Sequence, residues 1–178
     1  MEKKLYQGRI LHLYQEDVTL PNGNEVSLEI FRHPGASAVV VFREGLFYLI
    51  RQYRHATRGY LWEIPAGTRD GHEEPLVCAK RELLEEAGYV AKDLRYLGKI
   101  FTVPGFCTEE IHLFLADDVE LSSSTPEDDE AIDEVRGFTP MQVMQMIASG
   151  EINDAKTMCG LFHAFRVLGL SLSIETGS

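Results

Sequence analysis

Residues 67–89, GTRDGHEEPLVCAKRELLEEAGY, crowd Glu82, Glu85 and Glu86 into five consecutive positions. The stretch is punctuated as a helix. Pro75 suits a first turn, Glu73 and Glu74 suit the positive helix end, and Gly88 suits the stop. Leu76, Ala79, Leu83 and Ala87 recur at helical spacing and predict a buried stripe. At about 3.6 residues per turn, Glu82 shares a face with both Glu85 and Glu86. An acidic helix face is ordinarily just solvated. Two features set this one apart. Arg81 is the one base in the last two turns, placed to pair with Glu85 or to reach Glu73. The Gly-containing loop AGTRDG can also bring backbone carbonyls to the same face. Oxygen donors in this number suit a hard divalent cation, Mg²⁺ above all.

Outward from the helix, the first half reads as β structure. Asn22-Gly23 lies between apolar-alternating arms in VTLPNGNEVSLEIFRH, a hairpin signal. SAVVVF and LFYLIRQYR flank a second turn at Arg43-Glu44-Gly45, and YLWEIPAG reads as a strand ending at Pro65-Ala66-Gly67. Beyond the helix, LRYLGKIFTV and EIHLFLADDVEL read as strands joined by PGFCTE. SSSTPEDDE reads as an acidic loop. Thr139-Pro140 opens a second helix closing at Gly150, and Asn153 or Asp154 caps a third. The sum is an α+β fold: a mixed sheet with helices packed against it. Met141, Met144, Ile147 and Ala148 are expected in the core, as is Trp62.

The 178 residues suit one domain with a small appended segment, and a 44% hydrophobic share can fill a core. A net charge of −11 argues against sequence-independent nucleic-acid binding. It would also repel an anionic substrate unless cations intervene. Cys78, Cys107 and Cys159 are scattered and form no CxxC, which reads as reduced thiols in a cytoplasmic protein. MEKKLYQGRILHLYQED has no apolar core of secretory length, and apolar runs such as ASAVVVF are too short to span a bilayer. No membrane partner is expected. The six histidines stand singly, so zinc is not expected, and neither GxSxG nor GxxxxGK[ST] occurs.

Gly67, Glu73, Arg81, Glu82, Leu83, Glu85, Glu86 and Gly88 together resemble the Nudix box, G-x5-E-x7-R-E-U-x-E-E-x-G-U, where U is bulky and apolar. With usage near ~7% per residue type, seven fixed positions coincide by chance about once in 10⁸ starts. RHPGASAVV, RQYRHATRGYLWEIPAG, VPGF with Glu109, and EINDAKTM extend the likeness to ADP-ribose and nucleoside-diphosphate-sugar pyrophosphatases, from about residue 30 to 165. Pro104, sixteen past Gly88, matches a subgroup marker. Tyr89 is aromatic where the box prefers an aliphatic, and Cys107 stands where Ser or Thr is expected.

The resemblance implies a Nudix-type α/β/α sandwich over residues 35–178 and an N-terminal antiparallel β segment over 1–34. In the subgroup that segment forms a homodimer and helps build the partner's pocket. The implied activity is Mg²⁺-dependent hydrolysis of the pyrophosphate bond of ADP-ribose. GDP-mannose or another NDP-hexose is the alternative, and a non-catalytic nucleotide-sugar-binding module is the rival class. Mn²⁺ is a substitute metal. The implied metal ligands are Glu82 and Glu86 with Glu85 assisting, plus the Ala66 carbonyl. Glu85 and Arg81 are implied in catalysis, Arg81 chiefly through a supporting ion pair with Glu73, while Gly67 and Gly88 shape the box. A general base is expected from STPEDDEAIDEV, Glu130 first and Glu127 or Asp129 in reserve. Arg54, Arg51, Arg32, Glu109 and Pro104 are the expected substrate-binding positions.

Overall fold

The computed structural model describes residues 1–122 and 131–171. The chain opens with an antiparallel meander, β1 (Glu2–Gln7), β2 (His12–Thr19) and β3 (Glu25–Arg32). Its second turn carries Gly23 at φ +87°, and the Asn22 side chain accepts from the Asn24 N–H at 3.1 Å. None of these strands has a buried residue. The meander joins the rest through Phe31, whose N–H donates to the Phe106 carbonyl and whose carbonyl accepts from Thr108.

The strands and helices that follow are β4 (Ala36–Arg43), β5 (Leu46–Arg54), β6 (Gly59–Glu63), β7 (Ala66–Thr68), α1 (Pro75–Ala87), β8 (Tyr89–Ala91) and β9 (Arg95–Phe101). They continue as β10 (Glu110–Ala116), β11 (Val119–Leu121), β12 (Ile132–Phe138), α2 (Pro140–Ser149) and α3 (Ala155–Leu168). The main sheet runs β12-β5-β4-β10-β9, with β4 and β10 parallel. β4 and β5 leave their hairpin paired and then part. The first half of β4 pairs with β7 and the last half of β5 with β6, so the β6–β7 segment wedges into the middle of the sheet. β4 is buried from Ala36 to Val41 because both its faces are covered. Ala38 and Val40 belong to the core under α2 and α3, Val39 and Val41 to the core under α1. This is the expected α+β sandwich. Among the described residues, no helix is long and apolar enough to cross a membrane.

Both hairpins and all three helices stand where the sequence places them. Thr139 and Gln142 form a reciprocal capping box on α2, and the Asp154 side chain caps α3. Four expectations need correcting. The strand expected to end at Pro65-Ala66-Gly67 resumes pairing as β7, and EIHLFLADDVEL breaks at Asp117-Asp118 into β10 and β11. Leu76 is 44% exposed, and Cys78 joins Ala79, Leu83 and Ala87 in the buried stripe instead. In α2, Val143 and Met146 are buried, while Met141 and Ala148 face solvent and Met144 and Ile147 pack at the core's margin. Trp62 is buried, as expected, with its ring edge-on to Phe138.

Candidate functional site

The apolar stripe of α1 presses against Val39 and Val41, which turns Glu82 and Glu86 toward β7. There they are nearly enclosed, at 5% and 1% exposed, so the acidic face is not a solvated one. Glu86 Oε2 accepts the Ala66 N–H at 2.7 Å. The Glu82 carboxylate lies directly over Gly67, where an added Cβ would stand 2.0 Å from Oε1. Cys78 backs the same strand, its Sγ donating to the Gly67 carbonyl at 3.5 Å. Burial pushes this thiol up to about 12, which keeps it a protonated donor.

Arg81 makes both of the pairings its position offers. Nη1 donates to Glu82 Oε1 at 2.6 Å and to Glu85 Oε2 at 2.9 Å. Nη2 donates to Glu73 Oε2 at 3.0 Å and to the Thr68 carbonyl at 3.1 Å, and Nε reaches Glu73 Oε1 at 3.2 Å. One planar fork thereby ties the loop before α1 to β7 and to the carboxylate face. These bonds, Glu73's first, raise the Arg81 pKa, and Arg81 in turn holds the Glu73 carboxyl below its ordinary range. Among the described residues no three Asp, Glu, His or Cys side chains converge as a metal cluster by themselves. Here Arg81 takes up oxygens of Glu82 and Glu85, and the Ala66 N–H takes one of Glu86's.

A cleft of about 970 Å³ opens over this floor. Gly67, Arg81 and Glu82 line one side, and Arg54 and Lys156 line it as well. Arg54 is gripped from behind by buried Glu63, through Nε at 2.9 Å and Nη2 at 2.8 Å. Its pKa is raised, first by that bond and further by the nearby charges of Glu86 and Asp154. Glu109 accepts from Thr102 Oγ1 at 2.7 Å and stands 3.6 Å from His33 Nε2. His33 Nδ1 accepts from the Gly35 N–H at 3.0 Å, which assigns its proton to Nε2, facing Glu109. Burial lowers the His33 pKa and favours this neutral form. A smaller apolar cavity of about 460 Å³, with Phe31, Phe106 and Cys107 in its wall, meets the cleft at Ile10, Thr68 and Glu109.

The structure thus brings Ala66, Gly67, Arg81, Glu82, Arg54 and Glu109 to one cleft, with Glu86 beneath Ala66, Glu73 and Glu85 bound to Arg81, and Gly88 capping α1. Arg51, Arg32 and Pro104 do not line it. Arg51 and Arg54 are an odd number of residues apart on β5, so they leave opposite faces. Arg51 stacks on Tyr60 and pairs with Asp133 at 2.5 Å. Arg32 lies over Tyr14 and pairs with Glu2 and Glu16 of the N-terminal meander. Glu130, Glu127 and Asp129 lie outside the described residues. Sequence reading did not single out Glu63, Lys156, His33 or Thr102. Glu63, Lys156 and His33 sit in the family-like runs LWEIP, NDAKT and RHPG, a signal that could have found them.

Residues 31–161 match the NUDIX domain family. The chain is 39% identical over 158 residues to an ADP-ribose pyrophosphatase of Bacillus subtilis (strain 168), covering 88% of this chain and 85% of that one. It is 36% identical over 159 residues to a methanol dehydrogenase activator of Bacillus methanolicus, covering 88% and 85%. A crystal structure of an ADP compounds hydrolase superposes with a TM-score of 0.81 at 23% identity, covering 95% of this chain and 92% of that one, a likeness of fold.

Proposed function

The chain belongs to the NUDIX family, and from that premise we propose that it hydrolyses the pyrophosphate bond of a nucleoside diphosphate sugar, ADP-ribose first, to a nucleoside monophosphate and a sugar phosphate. The observation that carries this reading is the enclosure of Glu82 and Glu86 beside Ala66 and Gly67 at one cleft whose lining includes the cations Arg54 and Lys156. Carboxylates alone would repel a diphosphate, and cations alone would bind it without activating water.

Members of this family generally use divalent metal ions, and the residues here fit one. The donors are all hard oxygens, and Gly67 lacks the Cβ that would fill the space against Glu82. Glu82 and Glu86, assisted by Glu85 and the Ala66 carbonyl, would hold Mg²⁺, with Mn²⁺ as substitute. The bound ion would supply neutralisation of the diphosphate and a more acidic water. The protein's own part is positioning. Arg54 presents a guanidinium fixed on one edge, suited to a phosphate. Arg81 fixes Glu82, Glu85 and Glu73 relative to β7. Water adds to one phosphorus, the bridging oxygen leaves on the other phosphate, and a carboxylate takes the water's proton. Glu130 is the proposed base, with Glu127 and Asp129 as alternatives.

The test is a panel of nucleotide sugars with Mg²⁺, scored for monophosphate release and compared by kcat/KM. Silence across the panel rejects the proposal. Glu86→Gln should abolish turnover while ADP-ribose still binds, which separates an enzyme from a pure binding module. We also propose a homodimer through the N-terminal meander, which exposes Leu5, Tyr6, Ile10 and Leu11. Arg9 and Ile10 already reach the cleft rim. Light scattering at the mass of one chain would overturn that part.

A further inference from the structure

Arg54, Glu63, Lys156 and Asp154 form a chain of charges running from β5 through β6 to the start of α3. Glu63 is fully buried, yet two cations converge on it. Arg54 occupies both of its oxygens, and Lys156 Nζ also donates to Oε2. Lys156 reaches Asp154 Oδ2 at 3.0 Å as well. Asp154 is itself fixed as the cap of α3, accepting the Thr157 N–H at 2.9 Å and its hydroxyl at 2.6 Å. That hydroxyl oxygen accepts the Ile64 N–H at 2.9 Å, next to Glu63. Arg54, Asp154 and Lys156 line the cleft, while Glu63 does not.

A buried carboxylate paired with one arginine cancels most of that arginine's field at the cleft. With two cations on one carboxylate, the group of three carries a net positive charge, which Asp154 offsets. Lys156 therefore decides how much of Arg54's charge an anion in the cleft meets. The pair of bonds that Arg54 donates to Glu63 fixes its Nε–Nη2 edge, so the charge is held at a set place without being extinguished.

We infer that Lys156 is a positioning residue: by sharing Glu63, it keeps the anchored Arg54 electropositive toward the phosphates of the substrate. This rests on the diphosphate reading above and adds the residue that tunes it. Charge balance makes a signed prediction. Removing the Lys156 charge leaves the four groups at minus one and weakens anion binding. Removing the Asp154 charge leaves them at plus one and strengthens it. A purely structural role for this network makes both changes harmful.

The experiment is calorimetric titration of the full chain with ADP-ribose in EDTA, where no turnover occurs. Lys156→Met is expected to bind at least tenfold more weakly. Asp154→Asn is expected to bind about two- to fivefold more tightly, since asparagine caps a helix about as well as aspartate. Raising salt shrinks both differences, and in turnover assays KM, not kcat, carries them. Lys156→Met within twofold of wild type, or both variants binding more weakly, overturns the inference. Should Lys156→Met fail to show a cooperative melt, Asp154→Asn decides alone: tighter binding supports the inference, and equal or weaker binding refutes it. A wild-type chain that does not bind ADP-ribose in EDTA refutes this inference, and one that also fails to cleave it with Mg²⁺ refutes the substrate reading as well. Wild-type binding with the wrong signs refutes only this one.

Discussion

Gly67→Ala tests the site at its tightest point. The added methyl would lie 2.0 Å from Glu82 Oε1, 2.1 Å from Cδ and 2.4 Å from Oε2, while ordinary contact begins at 3.4 Å. The carboxylate must therefore withdraw by about 1.4 Å. Gly67 has no left-handed φ, so backbone strain does not contribute. Because the obstructed atoms end a flexible side chain, the fold should yield cheaply, near the low end of the ~1–3 kcal/mol typical of overpacking. For a chain of this size that is a melting shift of about 2–4 °C per kcal/mol. The chemistry is less forgiving, since a displacement of about 1 Å in a reacting constellation costs on the order of 10²-fold. At ~1.36 kcal/mol per tenfold, the barrier rises by about 2.7 kcal/mol. The assay is monophosphate release from ADP-ribose across a Mg²⁺ titration, run beside a thermal melt. A variant within threefold of wild-type kcat/KM would refute the claim that Glu82 works from its place against Gly67.

Arg81→Lys keeps the charge and loses the fork that reaches Glu73, Glu82, Glu85 and Thr68 at once. Thermal melts should register a loss of about 2 kcal/mol, a typical figure for a hydrogen bond to a charged group. Arg81 holds Glu73 below its ordinary value of 4.5, so the stability from that pairing is complete above pH 4.5 and drains as pH falls through the lower folded value. Denaturant titrations of Glu73→Gln should accordingly show a flatter acid limb than wild type. Cys78 is buried with its thiol pushed up to about 12, so a thiol reagent at neutral pH should label it only after unfolding, whereas Cys107 and Cys159 should react in the native protein.

Local signals carried much of the fold into plain view. Pro75, Gly88, Thr139, Asp154 and Asn22-Gly23 act within a few residues of themselves, and the elements they delimit stand where those residues put them. What spans the chain was not legible. The enclosure of Glu82 and Glu86 depends on Ala66–Thr68 pairing with β4, and no residue of that short segment advertises a strand. Lys156 and Glu63 are 93 positions apart, and only the packing of α3 brings them together. Arg32, Arg51 and Arg54 look equivalent as arginines in matched motifs, yet strand alternation on β5 sends Arg54 into the cleft and Arg51 away, and Arg32 is held by Glu2 and Glu16 of the meander. Leu76 fits the helical spacing but falls outside the sheet's cover, and spacing alone does not say how far that cover extends.

The β4 strand has a consequence for how the molecule is made. Its residues 36–41, three consecutive valines among them, pair along one edge with residues 111–116, so Ala36 meets Ile111 only after the intervening chain has been synthesised. Until then that edge offers open amides and carbonyls beside a sticky β-rich ribbon, an invitation to join another chain. A translation product halted before β10 should precipitate instead of remaining as a smaller soluble body, and assembly of the cleft must await the ribosome's passage beyond that point.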